Sequence, residues 1–153
     1  MHGLHLTADL RDCPTALPAM TELAALRSLC LDAVTAAGLQ PVGELFHRFA
    51  ASALAPADAP VGITGVVLLA ESHLAVHTWP EIAGVTLDVY VCNHGGDNTA
   101  RAHALLDSLL AAFDAGSVER HSLVRGRDQA TTHAAREANP TRPVARPIDV
   151  PTA

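Results

Sequence analysis

Between Ala70 and Glu81 the chain reads Ala-Glu-Ser-His-Leu-Ala-Val-His-Thr-Trp-Pro-Glu, which gathers carboxylates, a serine, two histidines and the only tryptophan into one short stretch. The apolar run Val66-Val67-Leu68-Leu69 precedes it and the strand-like Val85 to Cys92 comes after, so reactive groups fall where two buried strands meet. Polar groups in such a setting need a partner or a chemical task. All ten basic residues are arginine. Without lysine the chain has no amine for a pyridoxal phosphate site, for a lysine Schiff base or for a Walker-type phosphate loop. Imine chemistry on an amine substrate then requires a carbonyl made from the chain itself. A serine that follows an acyl group, as Ser72 follows Glu71, can be turned into one.

The blocks Glu71-Ser72-His73, His77-Thr78-Trp79-Pro80-Glu81 and Asp88-Val89-Tyr90-Val91-Cys92 together resemble the prokaryotic S-adenosylmethionine decarboxylase proenzyme family, from about Gly3 to Gly126. The resemblance implies a self-cleaving, pyruvoyl-dependent decarboxylase that converts S-adenosylmethionine to the decarboxylated aminopropyl donor of spermidine biosynthesis. Cleavage is expected between Glu71 and Ser72. The Ser72 oxygen attacks the Glu71 carbonyl in an intramolecular acyl shift, which proximity permits when the local backbone is held in an unusual conformation. Elimination of the ester leaves dehydroalanine, which hydrolyses to ammonia and a pyruvoyl group at the new chain start.

The same resemblance distributes the remaining roles. Thr64 matches the hydroxyl that steadies charge on the Glu71 oxygen. His77 matches the histidine of processing, and imidazoles titrate near neutrality, where they transfer protons well. Cys92 matches the proton donor of the catalytic cycle. The pyruvoyl group from Ser72 forms the Schiff base with substrate and serves as electron sink, so neither pyridoxal phosphate nor a metal is expected. Leu74, Trp79, Glu81 and Phe49 match positions that hold the nucleoside part of the substrate, where stacking suits a flat base or a sulfonium cation.

Rival readings rest on the same residues. Ser72 alone is an ordinary turn serine, His77 a hydrogen-bonded core histidine, Cys92 a small hydrophobe, Trp79 a core aromatic, and Glu81 half of a salt bridge. His73, His77, Cys92 and His94 form a conceivable zinc set, yet four-residue spacing gathers ligands on a helix, and this segment reads as a strand. A metal-binding or non-catalytic dimeric module is the distant alternative. Two departures bear on substrate: the turn after Glu81 reads Ile82-Ala83-Gly84-Val85 in place of a tyrosine-bearing one, and the strand ends Tyr90-Val91-Cys92-Asn93 in place of Phe-Thr-Cys-Gly. Pyruvoyl-dependent decarboxylation of arginine or ornithine is therefore the second reading of the activity.

Elements that must position these groups emerge from periodicity. Leu4, Leu6, Ala8 and Leu10 alternate as a first strand ending near Cys13, and a helix from about Ala19 to Ala37 presents Leu23, Leu26, Cys30 and Val34 before a stop at Gly38. Cys13 and Cys30 are core thiols in this reading. Strands are expected at Val42 to Phe49, Ile63 to Ala70, His73 to Trp79 and Val85 to Cys92, with a loop from Ala50 to Pro60. A second helix capped near Asp97-Asn98-Thr99 runs to Gly116, and a last strand spans Val118 to Val124. This order defines an α+β fold: an antiparallel sheet with both helices on one face, completed by a second copy into a four-layer αββα sandwich.

The bounds agree. A chain of 153 residues with 49% hydrophobic and 17% charged residues is one domain with a core, apolar enough to favour a homodimer. Residues 1–126 form the domain, and 127–153, punctuated by Pro140, Pro143, Pro147 and Pro151, read as a flexible tail. The net charge of -6 argues against nucleic acid, and the absence of a signal-like start or a long apolar run argues against a membrane. Three cysteines, an odd number without metal-site or redox spacing, suit a reducing cytoplasm.

Overall fold

The computed structural model describes residues 2–50, 56 and 59–126, so the tail reading of 127–153 lies outside the described residues. The elements are β1 (Gly3–Arg11), α1 (Pro18–Thr21), α2 (Leu23–Ala36), β2 (Pro41–Arg48), β3 (Ile63–Leu69), β4 (Ser72–Trp79), a 3₁₀ turn at Pro80–Ile82, β5 (Gly84–Cys92), α3 (Thr99–Phe113) and β6 (Ser117–Arg125). The six strands form one sheet in the order β2-β3-β4-β5-β1-β6, with every neighbouring pair antiparallel. This is the α+β fold expected, with α2 and α3 packed on the same face.

Alternation makes that face the core. Leu4, Leu6, Ala8 and Leu10 of β1, Val67 and Leu69 of β3, Leu74 and Val76 of β4, and Val85, Leu87, Val89 and Val91 of β5 are buried under the helices. Leu26, Cys30 and Val34 of α2 and Leu105, Leu109 and Phe113 of α3 meet them from above. Cys30 behaves as expected of a core thiol: burial pushes its pKa up to about 12. Burial, with Asp12 beside it, also raises Cys13. The intervening residues leave the opposite face open, and Leu45, Leu68 and Leu123 stand exposed on it.

Two expectations about helices need correction. The stretch from Ala19 to Ala37 is not one helix, because Glu22 adopts an extended conformation (φ -104, ψ 112) and divides a short turn from α2. The division has a cause in packing: the buried Thr78 hydroxyl donates to the Met20 carbonyl (2.8 Å) and accepts the Ile63 N–H (2.9 Å), tying α1 to β3 and β4. At the other end, α3 is closed by Asp114 in the left-handed region (φ 46), two residues before Gly116. The first stop is as expected, with Gly38 at φ 72.

Gly62 is fixed by space. A Cβ there would overlap the Thr78 carbonyl oxygen, so only glycine lets the chain entering β3 cross β4 this closely. Gly62→Ala is expected to cost about 3 kcal/mol in stability, because the clash is with backbone that cannot rotate aside. Denaturant unfolding of the two proteins measures it.

Candidate active site

The bond between Glu71 and Ser72 lies at the tip of the β3–β4 hairpin. Leu69 pairs with Ser72, so Ala70 and Glu71 alone make the connection. Two-residue hairpins favour positive φ at one or both positions. Among the described non-glycine residues only Asp12, Ala83 and Asp114 have positive φ. The hairpin is thus closed without the left-handed geometry that fits strand twist, and any unusual conformation at this bond is not a left-handed one. Glu71 is exposed and Ser72 half-buried.

Ser72 is anchored across the sheet by the strand that ends in Cys92. The Cys92 N–H donates to Ser72 Oγ at 3.0 Å, and the Cys92 Sγ is 3.9 Å from the His2 carbonyl oxygen. The turn after Cys92 is a feature that sequence reasoning missed, apart from the cap expected near Asp97-Asn98-Thr99. Asn93 Oδ1 accepts the Asn98 N–H (2.9 Å), Asn98 Nδ2 donates to the Cys92 carbonyl (2.9 Å), and Asp97 accepts the Thr99 N–H (2.9 Å) at the start of α3. Hydrogen bonds from Thr99 hold the Asp97 carboxyl below its ordinary range. Asparagine after a strand is the signal for such a side-chain-closed turn. A cleft of about 350 Å³ opens at this end of the sheet, lined by Gln40, Glu71, Ser72, Asn98 and Arg101 among others.

A second group of expected residues gathers elsewhere. Thr64 and His77 are register partners on β3 and β4, and both belong to the open face, since their neighbours Ile63, Val76 and Thr78 are buried on the helix side. His77 stacks near Trp79 (ring centroids 6.4 Å apart), and Trp79 stacks on Phe49 (5.7 Å, interplanar angle 25°). His47, the register partner of Thr64, lies 6.4 Å from Phe49 edge-on. Glu81 is exposed on the 3₁₀ turn at the end of β4, before Ala83 in the left-handed region (φ 50). A cavity of about 570 Å³ flanks Trp79, with Asp9, Arg11, Asp12, Ile82 and Thr86 among its walls. Leu74 does not join this group: its side chain is fully buried in the helix-facing core.

The two groups sit towards opposite ends of β4. Ser72 and His77 are five residues apart on an extended strand, a span of about 17 Å, and Cys92 is six residues from Thr86, the partner of His77. Side chains of serine and histidine do not bridge that distance. His73 and His77, four apart on the same strand, are about 13 Å from each other, too far to share one ion. Among the described residues no three His, Cys, Asp or Glu side chains converge as a metal site.

The molecule is thus of the α+β class, a single helix-covered antiparallel sheet in which a hairpin serine is held against a cysteine-bearing strand. The sequence model of the S-adenosylmethionine decarboxylase family matches residues 4–126. Among similar proteins, the S-adenosylmethionine decarboxylase proenzyme of Archaeoglobus fulgidus is 35% identical over 124 residues, covering 81% of this chain and 97% of its own. That of Symbiobacterium thermophilum is 32% identical over 142 residues, covering 90% and 96%. The crystal structure of the adenosylmethionine decarboxylase from Aquifex aeolicus superposes with a TM-score of 0.69 at 30% identity, covering 84% of this chain and 93% of that one. The chain belongs to the S-adenosylmethionine decarboxylase family.

Proposed function

We propose that this protein is a self-cleaving, pyruvoyl-dependent S-adenosylmethionine decarboxylase that works as a homodimer, each active site being shared between two copies. The observation that carries the reading is the hydrogen bond from the Cys92 N–H to Ser72 Oγ at the hairpin tip, with Thr64 and His77 set about 17 Å away along the hairpin. In one copy the groups that would assist cleavage are out of reach of the bond to be cut. A second copy stacked sheet to sheet through a two-fold axis brings its own Thr64, His77 and Trp79 toward the first copy's hairpin tip. Exposed Leu45, Leu68 and Leu123 on the open face supply apolar area for that contact.

Within such a pair, the Ser72 hydroxyl attacks the Glu71 carbonyl while the partner's Thr64 hydroxyl stabilises the developing oxyanion; the Glu71–Ser72 C–N bond then breaks, the hydroxyl's proton passing to the released amine and Glu71 remaining as an ester on Ser72 Oγ. The partner's His77 then removes the Ser72 α proton, which releases Glu71 as a new carboxyl terminus. Water completes the conversion and ammonia leaves. The surroundings of Ser72 fit the carbonyl formed at its Cα: the Cys92 N–H lies against this residue's side chain, and the adjoining cleft leaves room for substrate. When formed, the pyruvoyl group supplies an electrophilic carbonyl that condenses with the substrate amine and takes up electrons as carbon dioxide departs. Cys92, held beside it, keeps a proton for the carbon that has lost its carboxylate. The stacked Trp79 and Phe49 give the adenine ring or the sulfonium an aromatic surface, which a basic amino acid has no ring to use.

No helix among the described residues is long and apolar enough to cross a membrane. Free thiols at Cys13, Cys30 and Cys92 support placement in the cytoplasm. Denaturing mass spectrometry tests the proposal: two chains are expected, broken between Glu71 and Ser72. Carbon dioxide release is measured in parallel from S-adenosylmethionine, arginine and ornithine. A single intact chain sinks the mechanism. Release from arginine or ornithine alone sinks the substrate and leaves cleavage standing.

A further inference from the structure

One residue beyond Ser72, the His73 side chain enters a small polar cluster on the open face. Its Nε2 lies 3.4 Å from Asp88 Oδ1, and His5 Nε2 lies 2.8 Å from the same oxygen. The Tyr90 ring closes the group, with its centroid 5.6 Å from His73 and 5.8 Å from His5, and the Arg125 guanidinium sits 5.0 Å over it. The arrangement is built into the sheet, because His5, Tyr90 and His73 are register partners on three adjacent strands. Gly3 borders it: a Cβ there would come 2.7 Å from the Val91 carbonyl oxygen and 3.0 Å from the Tyr90 ring. None of these groups has a task in the acyl shift, the elimination or the decarboxylation.

Cutting the hairpin tip turns Ser72 into the first position of a chain, and chain ends fray unless something ties them down. Backbone pairing to β3 and β5 holds the strand as a whole. The first side chain able to anchor its start is His73.

We infer that Asp88 is a positioning residue: its carboxylate, fixed by a hydrogen bond to His5, makes a 3.4 Å contact with His73, with His5 and Tyr90 as the walls of the grip, and so keeps the chain start made by cleavage beside Cys92. The inference rests on the proposed pyruvoyl mechanism. Its consequence falls on turnover, since a reacting group displaced by about 1 Å loses a large factor in rate while the remote substrate contacts at Trp79 are unchanged.

The test compares full-length wild type, Asp88→Asn and Asp88→Glu. Cleavage is read by mass spectrometry, kcat and KM with S-adenosylmethionine, and amide exchange over residues 73–76 against the rest of the sheet. Asp88→Asn is expected to cleave, to lose about ten- to a hundredfold in kcat with KM within about twofold, and to exchange faster at residues 73–76 alone. Asp88→Glu, which keeps the carboxylate, is expected to recover most of the loss. Should Asp88→Asn not fold, His5→Gln removes one wall of the grip and is expected to lower kcat about threefold. Wild-type kcat in cleaved Asp88→Asn, a rise in KM alone, or failure to cleave overturns the inference. A wild type that stays uncleaved overturns the parent mechanism instead, so the two failures are distinguishable.

Discussion

Chains carrying His77→Ala are expected to stay intact as homodimers, yet to be cut when co-expressed with chains carrying Ser72→Ala. The reason is the length of β4: Ser72 and His77 lie towards its two ends, so in the proposed shared site the histidine serving a given serine belongs to the other copy. Neither variant can process itself, because one lacks the base and the other the nucleophile. In a mixed dimer the His77→Ala chain keeps its serine and borrows an intact histidine. Random pairing makes about half the dimers mixed, so about half of the His77→Ala chains should be cleaved. Mass spectrometry with a size tag on one chain reads this directly. If His77 acted within its own chain, co-expression would leave every chain whole.

Cys92→Ala separates processing from turnover. The contact from this residue to Ser72 is made by its backbone N–H, which alanine retains, so cleavage should proceed at least in part. The thiol is what the substitution removes. Loss of a positioned proton donor is expected to lower turnover by about 10²- to 10³-fold per cleaved chain. Carbon dioxide release normalised to cleaved protein is the measurement, and undiminished activity would take Cys92 out of the mechanism.

Where the sequence spoke clearly, it spoke through periodicity. The alternation in β1 and the apolar strands β3 to β5 gave strand identity and the buried face, and Gly38 marked a helix end because glycine takes positive φ without steric cost. The break at Glu22 was illegible because it is imposed from a distance: Thr78, nearly sixty residues along, takes the Met20 carbonyl. Asp114 in place of Gly116 shows the same limit, since aspartate also tolerates the left-handed region and the local pattern does not rank the two. At the site, motif matching named Ser72, Thr64, His77 and Cys92 but carried no distance between them. Only the register put Thr64 opposite His77 and both far from Ser72. Leu74 illustrates a third limit, for strand parity turns its side chain to the helices whatever its neighbours in sequence do.

The strand order also bears on the proposed cleavage between Glu71 and Ser72. The piece before the break holds β1, β2 and β3, and the piece after it holds β4, β5 and β6, yet the sheet runs β2-β3-β4-β5-β1-β6. Neither fragment owns a contiguous half: β4 and β5 are wedged between β3 and β1, and β1 is wedged between β5 and β6. Three seams of backbone hydrogen bonds, at β3 with β4, β5 with β1 and β1 with β6, keep the fragments together after the peptide bond is gone. Folding of the intact chain is a one-body process, whereas the mature protein dissolves into two bodies when it unfolds. Its melting then depends on concentration even within one protomer, and separated fragments have to find each other again to rebuild the sheet. The proposed cut thus falls within a sheet whose strand order interleaves the two pieces it would make.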